Sequence, residues 1–192
     1  MGWRLFAALT PPAGAVAHLE AAVQPLREAR SDLRWTKGSM WHLTCAFFGD
    51  VAEERTPELK TRLARVAARH DAIELGFTGA GAFGRPARAT VLFAGVDGPQ
   101  PALQALQAIA RSCEAAGRRI GLQLDERAYR PHLTLARAKG QAPVDVRPIV
   151  EALATYVGPR WTASALDLIR SHQGPQPYYE TIASWPLRDY QA

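Results

Sequence analysis

The feature that most constrains this chain is a tripeptide that occurs twice, His42-Leu43-Thr44 and His132-Leu133-Thr134. The separation, 132 − 42 = 90 residues, is close to half of the 192-residue length. One His-x-Thr carries little information. Two identical copies are expected in roughly one chain in several hundred at average residue frequencies, so the pair needs a structural cause. A period of 90 residues is too long for a solenoid repeat and suits an internal duplication, two similar lobes facing each other across a cleft.

The surrounding pattern predicts the same order of elements around each copy. Leu5, Ala7 and Leu9 alternate with Arg4, Phe6 and Ala8, which predicts a strand over residues 3–9. After Pro11-Pro12, the spacing of Val16, Leu19, Val23 and Leu26 predicts an amphipathic helix. A strand over 41–48, a helix over 54–69 and a strand over 73–77 complete the first series. The second series is a strand over 90–96, a helix through Leu103, Leu106 and Ile109, a strand over 132–137, a helix near 145–156, and strands near 161–170 and 178–185. The expected organisation is therefore one domain, residues 1–192, of two pseudo-symmetric lobes with approximate repeats 1–80 and 88–185. A chain of this length, 47% hydrophobic, can bury one sizeable core.

Each motif falls on the second strand of its series. Residues i and i+2 of a strand share a face, so His42 and Thr44 point one way while Leu43 and Cys45 point to the core. His132 and Thr134 repeat this over Leu133 and Leu135. Two such faces give a site of two imidazoles and two hydroxyls. Histidine titrates near neutrality and serves as general acid or base, and threonine hydroxyls bond phosphate oxygens without adding negative charge. By the same alternation Arg4 and Phe6 line the cleft, as a phosphate contact and a stacking platform, and Phe48 shares the face of His42. Trp35, Lys37, Tyr178 and Tyr179 are further candidate ligand contacts, and His18, His70 and His172 have no matching partner.

The net charge of +5 and pI near 9.6 favour an anionic partner, nucleic acid first. Cys45 and Cys113 lack Cys-x-x-Cys spacing and read as small core residues of a protein in a reducing compartment. The apolar run at the start ends at Pro11-Pro12, too short for a signal or membrane segment, so a cytoplasmic, membrane-free monomer is expected. The run Gly79-Ala80-Gly81-Ala82-Phe83-Gly84 matches a dinucleotide fingerprint, but Pro86 and a strand follow where a helix is needed, so it reads as a connection between lobes. A zinc site on His42 and His132 would need a third ligand, and Cys45 points away. No metal and no cofactor is expected.

Several segments together carry a resemblance: Arg4-Leu5-Phe6-Ala7-Ala8-Leu9, Leu33-Arg34-Trp35, Trp41-His42-Leu43-Thr44-Cys45-Ala46-Phe47-Phe48-Gly49, and Arg130-Pro131-His132-Leu133-Thr134-Leu135-Ala136-Arg137. With Ser171, Gly174-Pro175, Tyr178 and Trp185-Pro186-Leu187, they resemble the bacterial RNA 2′,3′-cyclic phosphodiesterases of the two-histidine phosphoesterase superfamily, formerly called 2′-5′ RNA ligases. The resemblance implies a bilobal α+β fold, two antiparallel-rich sheets with outer helices around a V-shaped cleft. It also implies metal-independent hydrolysis of RNA 2′,3′-cyclic phosphate ends to 2′-phosphates, His42 as proton donor, His132 as proton acceptor, and Arg137 on the phosphate. ATP-independent reverse 2′-5′ ligation belongs to the same chemistry. Ala46 departs from the Lys or Arg common at that place, which weakens the expected grip of the first lobe on phosphates. Alternatives are a 2′-5′ oligonucleotide or a small cyclic nucleotide as substrate, or an RNA-end binding module without catalysis.

Overall fold

The computed structural model describes residues 2–140 and 142–189. Among the described residues nine strands form two antiparallel sheets. The first has the order β3 (Leu43–Ala52), β1 (Gly2–Leu9), β8 (Ala165–His172), β9 (Tyr178–Pro186). The second has the order β2 (Leu33–Trp35), β6 (His132–Ala138), β5 (Arg88–Asp97), β4 (Ile73–Arg85), β7 (Trp161–Ala163). The stretch expected as one strand near 161–170 is divided at Ser164, with β7 joining β4 and β8 joining β1.

The sheets do not correspond to the two halves of the sequence. Strand β4, from the first half, pairs along most of its length with β5 in the second sheet, and β8, from the second half, pairs with β1 in the first. The helices cross as well. Helix α3 (Gln100–Arg119) follows β5 yet packs on β3, and α2 (Thr56–Ala67) lies beside α3 over β8 and β9. Helix α1 (Ala13–Ala29) buries Ala15, Leu19 and Val23 and is tied to the other side of the molecule, His18 Nδ1 lying 3.0 Å from the Tyr156 hydroxyl. Helix α4 (Arg147–Ala152), shorter than the 145–156 expected, packs on β4.

One continuous core holds Leu5, Ala7 and Leu9 of β1, Leu43 of β3, Leu92 and Ala94 of β5, and Leu133 and Leu135 of β6. A second small cluster, Phe6, Ala8 and Ile169 with Tyr179 against it, lies on the opposite face of the first sheet. Strand alternation alone separates the two: β1 gives its odd residues to the core and its even residues to the other face.

Both motif strands carry a β-bulge at the same place. In the β1–β3 ladder Ala8 pairs with Thr44 and Ala7 with Ala46, leaving Cys45 unpaired. In the β5–β6 ladder Phe93 pairs with Thr134 and Leu92 with Ala136, leaving Leu135 unpaired. Each extra residue stands three places after its histidine. An inserted residue shifts the alternation by one, so two consecutive side chains turn inward. Cys45 and Ala46 are both buried, as are Leu135 and Ala136. The residue five places after each histidine, Phe47 or Arg137, then rejoins the histidine's face and is exposed.

This shift corrects two readings made by strict alternation. Phe48 is not on the face of His42: it is 3% exposed and belongs to the core, where a Cβ on Gly117 of α3 would stand only 2.9 Å from its ring. Ala46 likewise faces the core beside Ala7, so its side chain says nothing about phosphate contacts on the cleft wall. The glycine-rich run is also corrected. It is not a connection but the second half of β4, which extends to Arg85 and continues through a bulge at Gly79, φ +52°.

Candidate active site

The two histidines are held by the same local device. His42 stands just before β3, and its Nδ1 is 2.8 Å from the carbonyl oxygen of Met40; His132 opens β6, and its Nδ1 is 2.7 Å from the carbonyl oxygen of Arg130. A carbonyl can only accept, so each Nδ1 carries a hydrogen and donates it. That fixes the tautomer: each Nε2 is the proton-accepting atom of a neutral ring and the donating atom of an imidazolium.

The walls around the rings come from the strands beside them. The Phe6 ring centroid lies 4.6 Å from that of His42, and Tyr179 stands edge-on at 5.2 Å. Around His132, Phe83 stands edge-on at 4.7 Å and Phe93 at 5.5 Å, with the Arg130 guanidinium 4.9 Å above the Phe93 ring. Gly81 makes room for this second wall, because a Cβ there would sit 2.6 Å from the Phe93 ring. Steric space explains the glycine that a fingerprint reading would give to phosphate.

Thr44 and Thr134 are partly buried on the same faces as their histidines. Arg137 is near enough to both rings for its charge to add to the depression of His42 and His132, and to Tyr179, whose phenol burial raises above its ordinary value with Arg137 and Arg4 opposing. On β2, Arg34 pairs directly across from Arg137, so two guanidiniums share one face of the sheet. Like charges directly opposite are destabilising unless an anion lies between them. Arg4 lies over the exposed Phe47 ring at 4.7 Å, so the first wall takes its cation from β1 where the second takes it from the motif strand.

Burial dominates the electrostatics of both rings. It pushes His42 down to about 4, with the charges of His132 and Arg137 adding to the effect and the Met40 carbonyl opposing it. It also pushes His132 below its ordinary value, against the Arg130 carbonyl, with Arg137 and Arg130 adding to the depression. The Cys45 thiol lies on the core side, where burial pushes it up to about 12. Among the described residues no three His, Cys, Asp or Glu side chains gather into a metal-holding group.

Of the residues expected from sequence, His42, His132 and Arg137 lie close enough for their charges to act on one another, Phe6 packs on the His42 ring, Thr44 and Thr134 share the faces of their histidines, and Arg4 lies over Phe47. Phe48 does not, and Trp35 packs partly buried against the core with its indole N–H donating to the Arg30 carbonyl. Tyr178 stacks on His172 at 4.2 Å, and Lys37 is exposed ahead of a short 3₁₀ turn. Tyr179 gains in importance. Phe83, Phe93, Arg130 and Arg34 were missed, although the period-two pattern of β5 would have put Phe93 on the outer face. Among the described residues no helix is long and apolar enough to cross a membrane.

Residues 15–175 match the 2′-5′ RNA ligase superfamily. The chain belongs to that family. A Geobacillus stearothermophilus relative named RNA 2′,3′-cyclic phosphodiesterase is 31% identical over 80% of this chain, which spans 47%, about half, of that protein's length. A Methanothermobacter thermautotrophicus protein of the same name is 28% identical over 71% of this chain and 72% of its own. The crystal structure of a Thermus thermophilus protein superposes with a TM-score of 0.76 at 24% identity, covering 98% of this chain and all of that one. The α+β fold of two antiparallel sheets with outer helices is thus the fold of this family.

Proposed function

We propose that the cleft hydrolyses 2′,3′-cyclic phosphate ends of RNA to 2′-phosphomonoesters by acid–base catalysis between His42 and His132. The observation that carries this reading is the matched pair of imidazoles, each with Nδ1 committed to the carbonyl two residues back and Nε2 left as its working atom. Binding an anion alone would call for cations, not for two rings whose tautomers are fixed.

In the reaction, the Nε2 of neutral His132 takes one proton from water as its oxygen forms the new bond to phosphorus. The bond from phosphorus to the ribose 3′-oxygen breaks, and protonated His42 delivers its proton to that oxygen. Thr44, Thr134 and Arg137 stabilise charge on the non-bridging oxygens. Burial opposes the donor role of His42, since it favours the neutral ring. The phosphodiester is itself an anion, and a negative charge beside Nε2 favours the imidazolium and offsets that burial. The donor and acceptor roles rest on the family resemblance, since the backbone holds the two rings alike. The matched bulges also support reading residues 1–80 and 88–185 as two copies of one unit.

The test is to incubate the protein with an RNA oligomer ending in a 2′,3′-cyclic phosphate, with EDTA present, and to identify the product end. A 2′-phosphate is expected. A 3′-phosphate would overturn the leaving-group assignment, and turnover lost in EDTA and restored by a divalent metal would overturn the metal-independent mechanism.

A further inference from the structure

On the far side of the first sheet from the cleft, α2 and α3 enclose a cavity of about 210 Å³ whose rim is basic. Arg62, Arg65 and Arg69 lie at spacings of three and four residues, so they form one stripe, Arg69 just past the end of α2, facing α3. From α3 comes Arg119, and the remaining α3 residues on the rim, Ser112, Ala115 and Ala116, are small. Small residues opposite long ones keep the groove open. His70 spans it, with Nε2 2.9 Å from the Ser112 hydroxyl.

The charge on this groove is not neutralised from within. Arg62 is held by Glu58, but among the described residues Arg65, Arg69 and Arg119 have no carboxylate partner. Like charges three and four residues apart on a helix destabilise it, and the groove sets a fourth guanidinium against them. Guanidinium forks, a hydroxyl and an imidazole are the donor set that binds phosphate oxygens. The cavity has room for about seven waters at liquid volume, enough for a phosphate group but small for a whole nucleotide.

We propose that this α2–α3 groove is a second anion site, separate from the cleft, that takes phosphate groups through Arg65, Arg69 and Arg119. The phosphates come either from the backbone of an RNA strand or from free phosphate. Along the helix the arginine stripe covers about 10 Å, more than one phosphate occupies, which favours the strand.

The experiment compares the intact protein with the triple variant Arg65→Ser, Arg69→Ser, Arg119→Ser. One arm measures binding of an RNA of about twenty nucleotides without a cyclic end as a function of salt. If the strand is the ligand, affinity at low salt falls at least tenfold and the slope of log K against log[salt] falls by about 2, three lost contacts at roughly 0.7 each. A second arm follows the His70 ring by NMR during titration with inorganic phosphate. A phosphate-dependent shift in the intact protein, absent from the triple variant and accompanied by unchanged RNA binding, assigns the groove to free phosphate. In either case hydrolysis of a nucleoside 2′,3′-cyclic monophosphate stays within twofold, which keeps this site distinct from the cleft, and the binding and NMR arms read the groove whether or not that hydrolysis occurs. Unchanged RNA binding together with a silent His70 ring overturns the proposal. Should the triple variant fail to fold, Arg69→Ser alone is read in the same two arms, with one third of the change in slope.

Discussion

The two histidines share a backbone and differ in their surroundings. Both rings donate Nδ1–H to the carbonyl two residues back, and both precede a bulge at the third residue after them. Around His42 the walls are Phe6 and Tyr179, and the fifth residue on is Phe47. Around His132 they are Phe83 and Phe93 under Arg130, and the fifth residue on is Arg137. Position is therefore set by the repeated part of each wall and proton affinity by the part that is not repeated. A division of labour between acid and base can arise only from the second.

The largest test of that difference removes each ring in turn. His42→Ala and His132→Ala are each expected to lower kcat by about a hundredfold to ten-thousandfold, the range for losing one positioned proton-transfer group. The defects should then separate. A substrate whose leaving oxygen needs no proton restores His42→Ala much more than His132→Ala, as measured by single-turnover rates, and equal restoration would sink the donor and acceptor assignment.

Next in size is the fifth-residue pair. Arg137→Ala is expected to reduce kcat/KM roughly ten- to hundredfold, since a hydrogen bond to a charged group contributes about 1.5–3 kcal/mol. Phe47→Ala, at the matching place, should change it less than about threefold. If the two variants behave alike, the walls are electrostatically equivalent and the comparison fails.

The residues of the site were legible to the extent that they repeat. Two copies of His-Leu-Thr named four side chains, and strand alternation gave their faces and that of Phe6. Alternation then failed at Cys45 and Leu135, because a bulge is one inserted residue and its sequence trace is only two adjacent inward side chains, Cys45-Ala46 and Leu135-Ala136. Phe48 was misplaced for that reason. The order of elements was readable from periodicity, whereas the membership of β4 and β8 in opposite sheets was not, because period-two patterning shows which face is buried but not which strand lies alongside. Phe83 was hidden in a glycine run whose local composition resembles a loop.

A smaller effect concerns pH. Burial holds both rings below their ordinary value near 6.5, His42 at about 4, so the singly protonated pair is lost as pH rises through the higher of the two values. The profile of kcat/KM, which reports the free protein, should peak below pH 6.5, and that of kcat should peak higher because bound phosphodiester raises both values. Coincident optima above pH 7 would contradict this. For stability the sign is the opposite of a paired histidine: the unfolded chain binds more protons, so stability from these rings is complete above about 6.5 and falls as pH drops toward 4. Urea unfolding at pH 7 and pH 5 should show a smaller acid-induced loss in His42→Gln than in the intact protein.

The smallest expected effect isolates one wall. Tyr179→Leu opens the His42 ring to water and should move its NMR titration upward from about 4 while leaving that of His132 in place, with a several-fold change in rate. Phe83→Leu should do the reverse. Movement of both rings in either variant would show that the walls are coupled.

The exchange of β4 and β8 between the sheets bears on how the chain is made. Leu5 of β1 is paired in register with Arg170 of β8, 165 residues later. At a synthesis rate of about 5–20 residues per second, roughly 8 to 30 s separate the appearance of the two. Throughout that interval one edge of β1 has no partner, and an open edge beside apolar Leu5, Ala7 and Leu9 is a template for pairing with another nascent chain. Slow ribosomes and crowded polysomes should therefore raise the insoluble fraction of this protein before they affect its catalysis.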